Sequence, residues 1–198
     1  MALLNVLIQA LGPSHWLRLG ESSGAAADSS GNGNNGTVSI GTGSRATRPI
    51  DEGGDGSITC DGSTITVTAA AAVNNIWNTG ATMFMLCRIT QGVFRRWFVK
   101  TGTLLCDFRN DAGGFVRLLF QIPWSLSTPA WQTTVTIPVD TDILLALTYD
   151  ASAEGNNPTV YMGVLSTGAL TTYTVGDGLT ENTAPSGTVS DDSASDLI

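Results

Sequence analysis

The sequence predicts an all-β protein, a two-sheet antiparallel β-sandwich of the jelly-roll kind. Two observations predict it. Short runs of β-branched and apolar residues follow one another, with turn residues recurring about every eight to twelve positions. After the first dozen residues, no apolar stripe at helical spacing is long enough for a helix of normal length. Without crossover helices the strands must be joined by hairpins and Greek-key connections, and about a dozen short strands in one chain divide between two packed sheets. At 198 residues the chain is long enough to bury a core, and it is expected to form one domain, residues 1–198.

The elements are expected in the following order. Met1 to Leu11 is apolar, without the basic start of a signal peptide and too short to cross a bilayer, so it reads as a short helix or first strand on the core. Ser14 to Gly20 reads as a strand, and Gly36 to Ile40 as a shorter one. Ser57 to Cys60 and Thr64 to Thr68 flank Asp61-Gly62-Ser63, a hairpin-like turn, and Ile65 and Val67 alternate with threonines as a half-buried strand does. Ala69 to Asn78 is a connection. Four central strands follow at Thr82–Thr90, Val93–Lys100, Thr103–Arg109 and Phe115–Ile122. Pro123 to Pro129 is a loop. Gln132–Ile137, Ile143–Tyr149, Thr159–Leu165 and Leu170–Val175 complete the set, and a polar, acidic tail is expected from Gly176.

Charge excludes one class of partner. The formal net charge is −8, and binding nucleic acid needs a basic face that releases counterions. Six of the nine basic residues nevertheless lie in the middle third: Arg88, Arg95, Arg96, Lys100, Arg109 and Arg117. They read either as the solvated face of central strands or as a basic band for an acidic glycan or an acidic neighbouring subunit, with Arg96 the candidate ligand contact. The three cysteines, Cys60, Cys87 and Cys106, lie in apolar runs without metal-type spacing, which suits buried thiols and a reducing compartment of folding.

The loop Asp28-Ser29-Ser30-Gly31-Asn32-Gly33-Asn34-Asn35-Gly36-Thr37 consists of turn-formers. Its oxygens form either a self-bonded turn, the preferred reading, or a calcium site with Asp28, Asn32 and an acid from another loop, Asp191 or Asp192, as ligands. Trp124 and Trp131 flank a Pro-containing loop and are the candidate platforms for stacking on sugar rings, with core packing the more common fate of tryptophan. Catalysis is not expected. The glutamates Glu21, Glu52, Glu154 and Glu181 lie in loop-like stretches, and Asp140 and Asp142 share a strand face by spacing but without the aromatically shielded general-acid partner that glycoside hydrolysis requires. The sole histidine, His15, has no nucleophile-elbow serine or second nitrogen ligand to work with and reads as a strand residue beside Trp16.

Pro13-Ser14-His15-Trp16-Leu17-Arg18-Leu19-Gly20-Glu21 and the loop from Asp28 to Thr37 resemble the opening of the concanavalin A-like and laminin-G-like jelly-roll domains found in bacteriophage and bacterial surface proteins. Ser57 to Ser63, Ala146-Leu147-Thr148-Tyr149-Asp150 and Thr159 to Leu165 are similar to later strands of that superfamily. Three departures stand out. Asp140 to Leu144 replaces a Trp-His pair, Met162 stands where an Asn precedes glycine, and the sequence stops at Ile198, where the family adds a strand. The resemblance implies a non-catalytic module at a virion surface, assembled in the host cytoplasm: a capsid decoration, head-fibre or tail-fibre domain. Its implied partners are other virion proteins, host-surface glycans and further copies of itself, with no membrane span. A free carbohydrate-binding lectin domain is the alternative, and a glycoside hydrolase stands third.

Overall fold

The computed structural model describes residues 8–41, 44–47, 56–58, 63–70, 73–89, 95–100, 104–110 and 116–198. They gather into two compact units, Met1–Asn74 with Ser193–Ile198, and Asn75–Asp192. Apart from one helical turn at residues 8–10, the regular structure described is strand.

The first unit holds two small antiparallel pairs. β1 (Thr37–Ser39) pairs with β4 (Thr64–Thr66), and β2 (Arg45–Thr47) pairs with β3 (Gly56–Ile58). Two expectations are corrected here. Ser14–Gly20 is not a strand. It makes a single bridge, Leu17 to Asp28, and Leu19 adopts φ 60°, which turns the chain out of extended conformation. The strands near Ser57 and Thr64 do not form a hairpin, because each pairs with an earlier partner; Cys60, Asp61 and Gly62 lie outside the described residues. Gly36 is required where it stands, since a Cβ there would lie 2.5 Å from Ile65 Cγ2. Leu197 bridges Val67 through hydrogen bonds of 2.7 and 2.9 Å.

The second unit is one nine-stranded sheet of β5 (Ala81–Arg88), β6 (Arg95–Lys100), β7 (Leu104–Asn110), β8 (Val116–Gln121), β9 (Ala130–Thr133), β10 (Asp142–Tyr149), β11 (Thr159–Val164), β12 (Ala169–Val175) and β13 (Gly178–Thr183), in the order β5-β10-β11-β12-β13-β9-β8-β7-β6. All neighbours are antiparallel except β12 and β13, which run parallel for two residue pairs, Thr174 with Gly178 and Val175 with Leu179. A tight turn at Gly176 and Asp177 makes this junction a corner. Thr174 and Asp177 exchange N–H···O bonds of 2.8 Å, and Gly178 has φ 77° with its α-carbon against the Tyr173 ring. The stretch from Gly176, expected as a tail, is therefore the strand that joins the two arms of the sheet. β9 begins two residues before the expected start at Gln132, because Ala130 and Trp131 register against Gln121 and Phe120.

Across the corner the two arms face each other. Alternation along β10 turns Ile143, Leu145, Leu147 and Tyr149 inward, each at most 2% exposed. Phe120 and Trp131 of the opposite arm stack on each other at 5.6 Å, and both meet the Tyr149 ring, at 5.5 and 5.1 Å. Trp77, from the connection before β5, closes the cluster against Phe98, Phe120 and Tyr149.

Lys100, on the edge strand β6, is an inward-facing charge. Lys100 is fully buried, and its Nζ donates to Asp192 Oδ1 at 2.8 Å. The same oxygen accepts the Asn75 N–H at 2.6 Å, while Asn75 Oδ1 accepts the Asp192 N–H at 2.9 Å. This knot holds Asn75 at φ 49°, a left-handed conformation asparagine tolerates. An inward charge on an edge strand also discourages pairing with another chain.

Two outcomes test this account. Gly178→Ala is expected to lower stability by about 2–3 kcal/mol, since it adds a clash with Tyr173 to backbone strain. Gly168→Ala, at φ 67° in open space, is expected to lower it by only about 1 kcal/mol, both read from urea midpoints. Lys100→Met is expected to lower stability by about 3 kcal/mol by stranding the Asp192 charge, and adding Asp192→Asn should recover part of that loss.

Candidate functional site

The loop after Asp28 is a self-bonded turn built around one carboxylate. Asp28 Oδ1 accepts the N–H groups of Trp16 and Ser30 at 3.0 and 2.9 Å, and Oδ2 accepts that of Asn34 at 3.0 Å. Asn35 Oδ1 accepts the Asp28 N–H at 2.9 Å. Burial pushes the Asp28 pKa upward, but the hydrogen bonds from Ser30, Trp16 and Asn34 outweigh it and hold the group at about 2. Asn32 points its amide nitrogen inward, donating to Ser14 O at 3.0 Å and Ser30 Oγ at 3.2 Å. His15 Nε2 donates to Asn34 O at 3.0 Å in a loop, not on the expected strand, and burial lowers its pKa against the opposing pull of Asp28. Asp191 belongs to the other unit, where its Oδ1 accepts from Asn75 Nδ2 at 2.7 Å. Each candidate calcium ligand thus has a protein partner of its own, and among the described residues no cluster of three His, Cys, Asp or Glu is formed.

The tryptophans belong to the core. Trp131 is 0% exposed and donates its Nε1–H to Asn157 Oδ1 at 2.8 Å; Trp124 is 5% exposed. Neither can serve as an exposed stacking platform, because packing against Phe120 and Tyr149 gives Trp131 more apolar contact than any surface position. Trp77 shares that fate at 1% exposed. Trp124 forms part of the wall of a shallow crevice of about 530 Å³ with Asn78, Ser152, Glu154 and Thr188. Burial raises the Tyr149 hydroxyl to about 12.

With the interior filled, the chemistry lies on the outer faces of the two arms. On the arm β5-β10-β11-β12 the outward residues register in rows. Leu86, Leu144, Gly163 and Leu170 make one row, and Phe84, Ala146, Tyr161 and Thr172 the next. Leu170 is 70% exposed and Phe84 36%, with Leu165 at 37% at the end of β11. The rim is polar, where Arg88 clasps Asp142 through bonds of 2.9 and 2.8 Å. Sequence reasoning missed this face, although the period-two pattern of β10 carries the signal. Once Ile143, Leu145 and Leu147 are inward, Leu144 and Ala146 must be outward, and their partners Leu86, Phe84 and Tyr161 follow.

The outer face of the other arm is cationic. Arg96 on β6 pairs in register with Asp107 on β7, and Arg109 on β7 with Arg117 on β8. Asp107 is 1% exposed, with Arg96 Nε 3.1 Å from Oδ1 and Arg109 Nη2 3.4 Å from Oδ2. Arg96, the candidate ligand contact, is half exposed at this position. Lys100, expected in the same basic band, is instead inside the protein. Of the glutamates expected in loops, Glu181 lies on β13, while Glu154 accepts the Gly187 N–H at 2.5 Å and Glu21 that of Ala27 at 3.0 Å.

The Asp28 turn has a pH signature. A carboxylate held near 2 in the fold and near 3.8 in the unfolded chain adds stability above about pH 4, and that stability disappears as pH falls through 2. Asp28→Asn is therefore expected to lower stability by about 1 kcal/mol at pH 7, allowing for solvent screening, and to match wild type at pH 2, by urea melts at both pH values. Comparison of the chain with protein-family models, with curated proteins and with solved structures finds no match.

Proposed function

We propose that this chain is a non-catalytic jelly-roll module of a virus particle, a phage capsid decoration, head-fibre or tail-fibre domain, which works by presenting surfaces to other subunits and to host glycans. The observation that carries this reading is the apolar outer face of β5, β10, β11 and β12, with Leu170 70% exposed beside Phe84, Leu86, Leu144 and Tyr161. A contiguous apolar surface ringed by polar residues marks an interaction site in a protein that must stay dissolved. The opening resemblance to phage and bacterial surface domains supports the same assignment, as does a core filled by rings, which leaves binding to the outside. In this reading the face is a homo-oligomer or virion contact.

A free carbohydrate-binding lectin is the second reading, favoured by one feature of that face. Phe84 and Tyr161 lie two strands apart with only Ala146 between them, so two rings flank a low floor across which a sugar chain could lie.

Light scattering with the matching surface variants decides between them. The expected result is an oligomer that falls to monomer in Leu170→Asp with an unchanged melting temperature, since the replaced side chain is 70% exposed. A wild-type monomer whose binding to neutral glycans is lost in Tyr161→Ala would instead establish the lectin reading.

A further inference from the structure

We propose that Asn32 is a site of spontaneous deamidation, converted through a succinimide to aspartate and isoaspartate, and that Asn35 in the same loop is protected from this reaction.

The sequence holds two Asn-Gly steps, Asn32-Gly33 and Asn35-Gly36, both in the loop after Asp28. An asparagine side chain readily reaches nearby backbone, and a following glycine, without a Cβ, lets its nitrogen approach the side-chain carbon. In the reaction the Gly33 nitrogen gives its proton to solvent base and attacks Cγ of Asn32. The N–Cγ bond closes a ring, the Cγ–Nδ2 bond breaks, and Nδ2 takes up a proton and leaves as ammonia. Water then opens the ring. Attack at Cγ gives aspartate, and attack at the Asn32 backbone carbonyl carbon gives isoaspartate, with the main chain rerouted through Cβ and Cγ. Nothing is oxidised or reduced; one water is consumed and one ammonia released.

By sequence the two steps are equivalent. The fold separates them by the state of the attacking nitrogen and by space. The Gly36 N–H donates to Ala26 O at 2.8 Å, and Gly36 O accepts the Ala26 N–H at 2.8 Å, so both backbone groups of that glycine are pinned. Gly36 is also buried, and a Cβ placed on it would lie 2.5 Å from Ile65 Cγ2 and 3.3 Å from Leu17 Cδ1, crowding that opposes ring closure. Gly33 is held by neither restraint. Its N–H has no hydrogen-bond partner among the described residues, and it is exposed at φ 74° with nothing within 4 Å of where a Cβ would stand.

The side chains do not decide between the sites. Asn32 Nδ2 donates to Ser14 O at 3.0 Å and to Ser30 Oγ at 3.2 Å, and Asn35 Oδ1 accepts the Asp28 N–H at 2.9 Å. These bonds lie at the surface, where water replaces them as an amide rotates. Releasing Gly36 costs two backbone bonds, which slows its attack about tenfold relative to Gly33. Conversion alters the loop. A carboxylate at position 32 cannot donate to the Ser14 carbonyl, so that contact turns repulsive. Asp28 keeps the N–H groups of Trp16, Ser30 and Asn34, so the centre of the turn survives while its tip loosens. The chain also gains one negative charge over its formal −8.

The test is peptide mapping by mass spectrometry of the full chain, aged in mildly alkaline buffer either folded or unfolded in guanidinium chloride. Digestion under acidic conditions avoids new conversion, and fragmentation assigns each site. The two asparagines are expected to convert at similar rates when unfolded. In the folded chain Asn32 is expected to convert about tenfold faster than Asn35. Isoelectric focusing of Asn32→Gln and Asn35→Gln gives a second reading, since glutamine must close a larger ring and reacts far more slowly. Asn32→Gln is expected to keep its charge while wild type acquires an acidic band, and Asn35→Gln to acidify as wild type does. A folded chain in which Asn35 converts as fast as Asn32 overturns the proposal. So does one in which neither converts although both do when unfolded, which would assign the protection of Asn32 to its bonds with Ser14 and Ser30.

Discussion

The second unit depends on one contact, the meeting of Phe120, Trp131 and Tyr149 between the arms of a single bent sheet. A sheet of nine strands exposes apolar residues on at least one face unless something covers it, and here each arm covers the other. The rings suit the task because they fill the gap between facing sheets and interlock edge-on and stacked, an arrangement aliphatic side chains do not reproduce. Removing a buried ring of this size costs a core about 3–5 kcal/mol. Gly178 sits in the tight turn between β12 and β13, against the Tyr173 ring, and the Lys100–Asp192 pair is buried in the same unit.

The filled interior decides where function can be. Two outer faces of the same sheet have opposite character: one apolar with aromatic rings, the other a row of arginines around a buried acid. Each arises from alternation along the strands, broken on β6 by a bulge between Arg96 and Phe98. One sheet can therefore present two surfaces of different chemistry without either disturbing the core.

Much of this architecture was legible in the sequence, and the illegible parts have physical reasons. The long strands β5, β8, β10 and β11 showed themselves because β-branched and apolar residues alternate over six to eight positions. β13 did not, because Gly178-Leu179-Thr180-Glu181-Asn182-Thr183 carries a single apolar side chain, and its extended form comes from hydrogen bonds to β9 and β12. The pairing of β3 with β2 was hidden for a related reason: partners in three-residue strands are chosen by tertiary context, not by an intervening turn. The Asp28 turn was legible because Asp, Ser and Asn bond to nearby backbone wherever they are placed. Trp124 and Trp131 were ambiguous from the start, since a tryptophan beside proline looks the same in a loop above the surface and in a strand beneath it; only pairing with Phe120 and the Val189 bridge decided it.

The corner at β12 and β13 also sets a schedule for synthesis. β6 to β9 form one meander of sequential neighbours and β10 to β12 another, so each arm can assemble from local pairings as it leaves the ribosome. β5 must wait for β10, and the seam between arms closes only when β13 emerges to bond both β12 and β9. Until then the nascent chain carries two half-sheets with their ring-bearing faces open to water. The chain is most open to wrong pairing with a neighbouring polypeptide during this interval, and a short C-terminal strand of mainly polar residues brings it to an end.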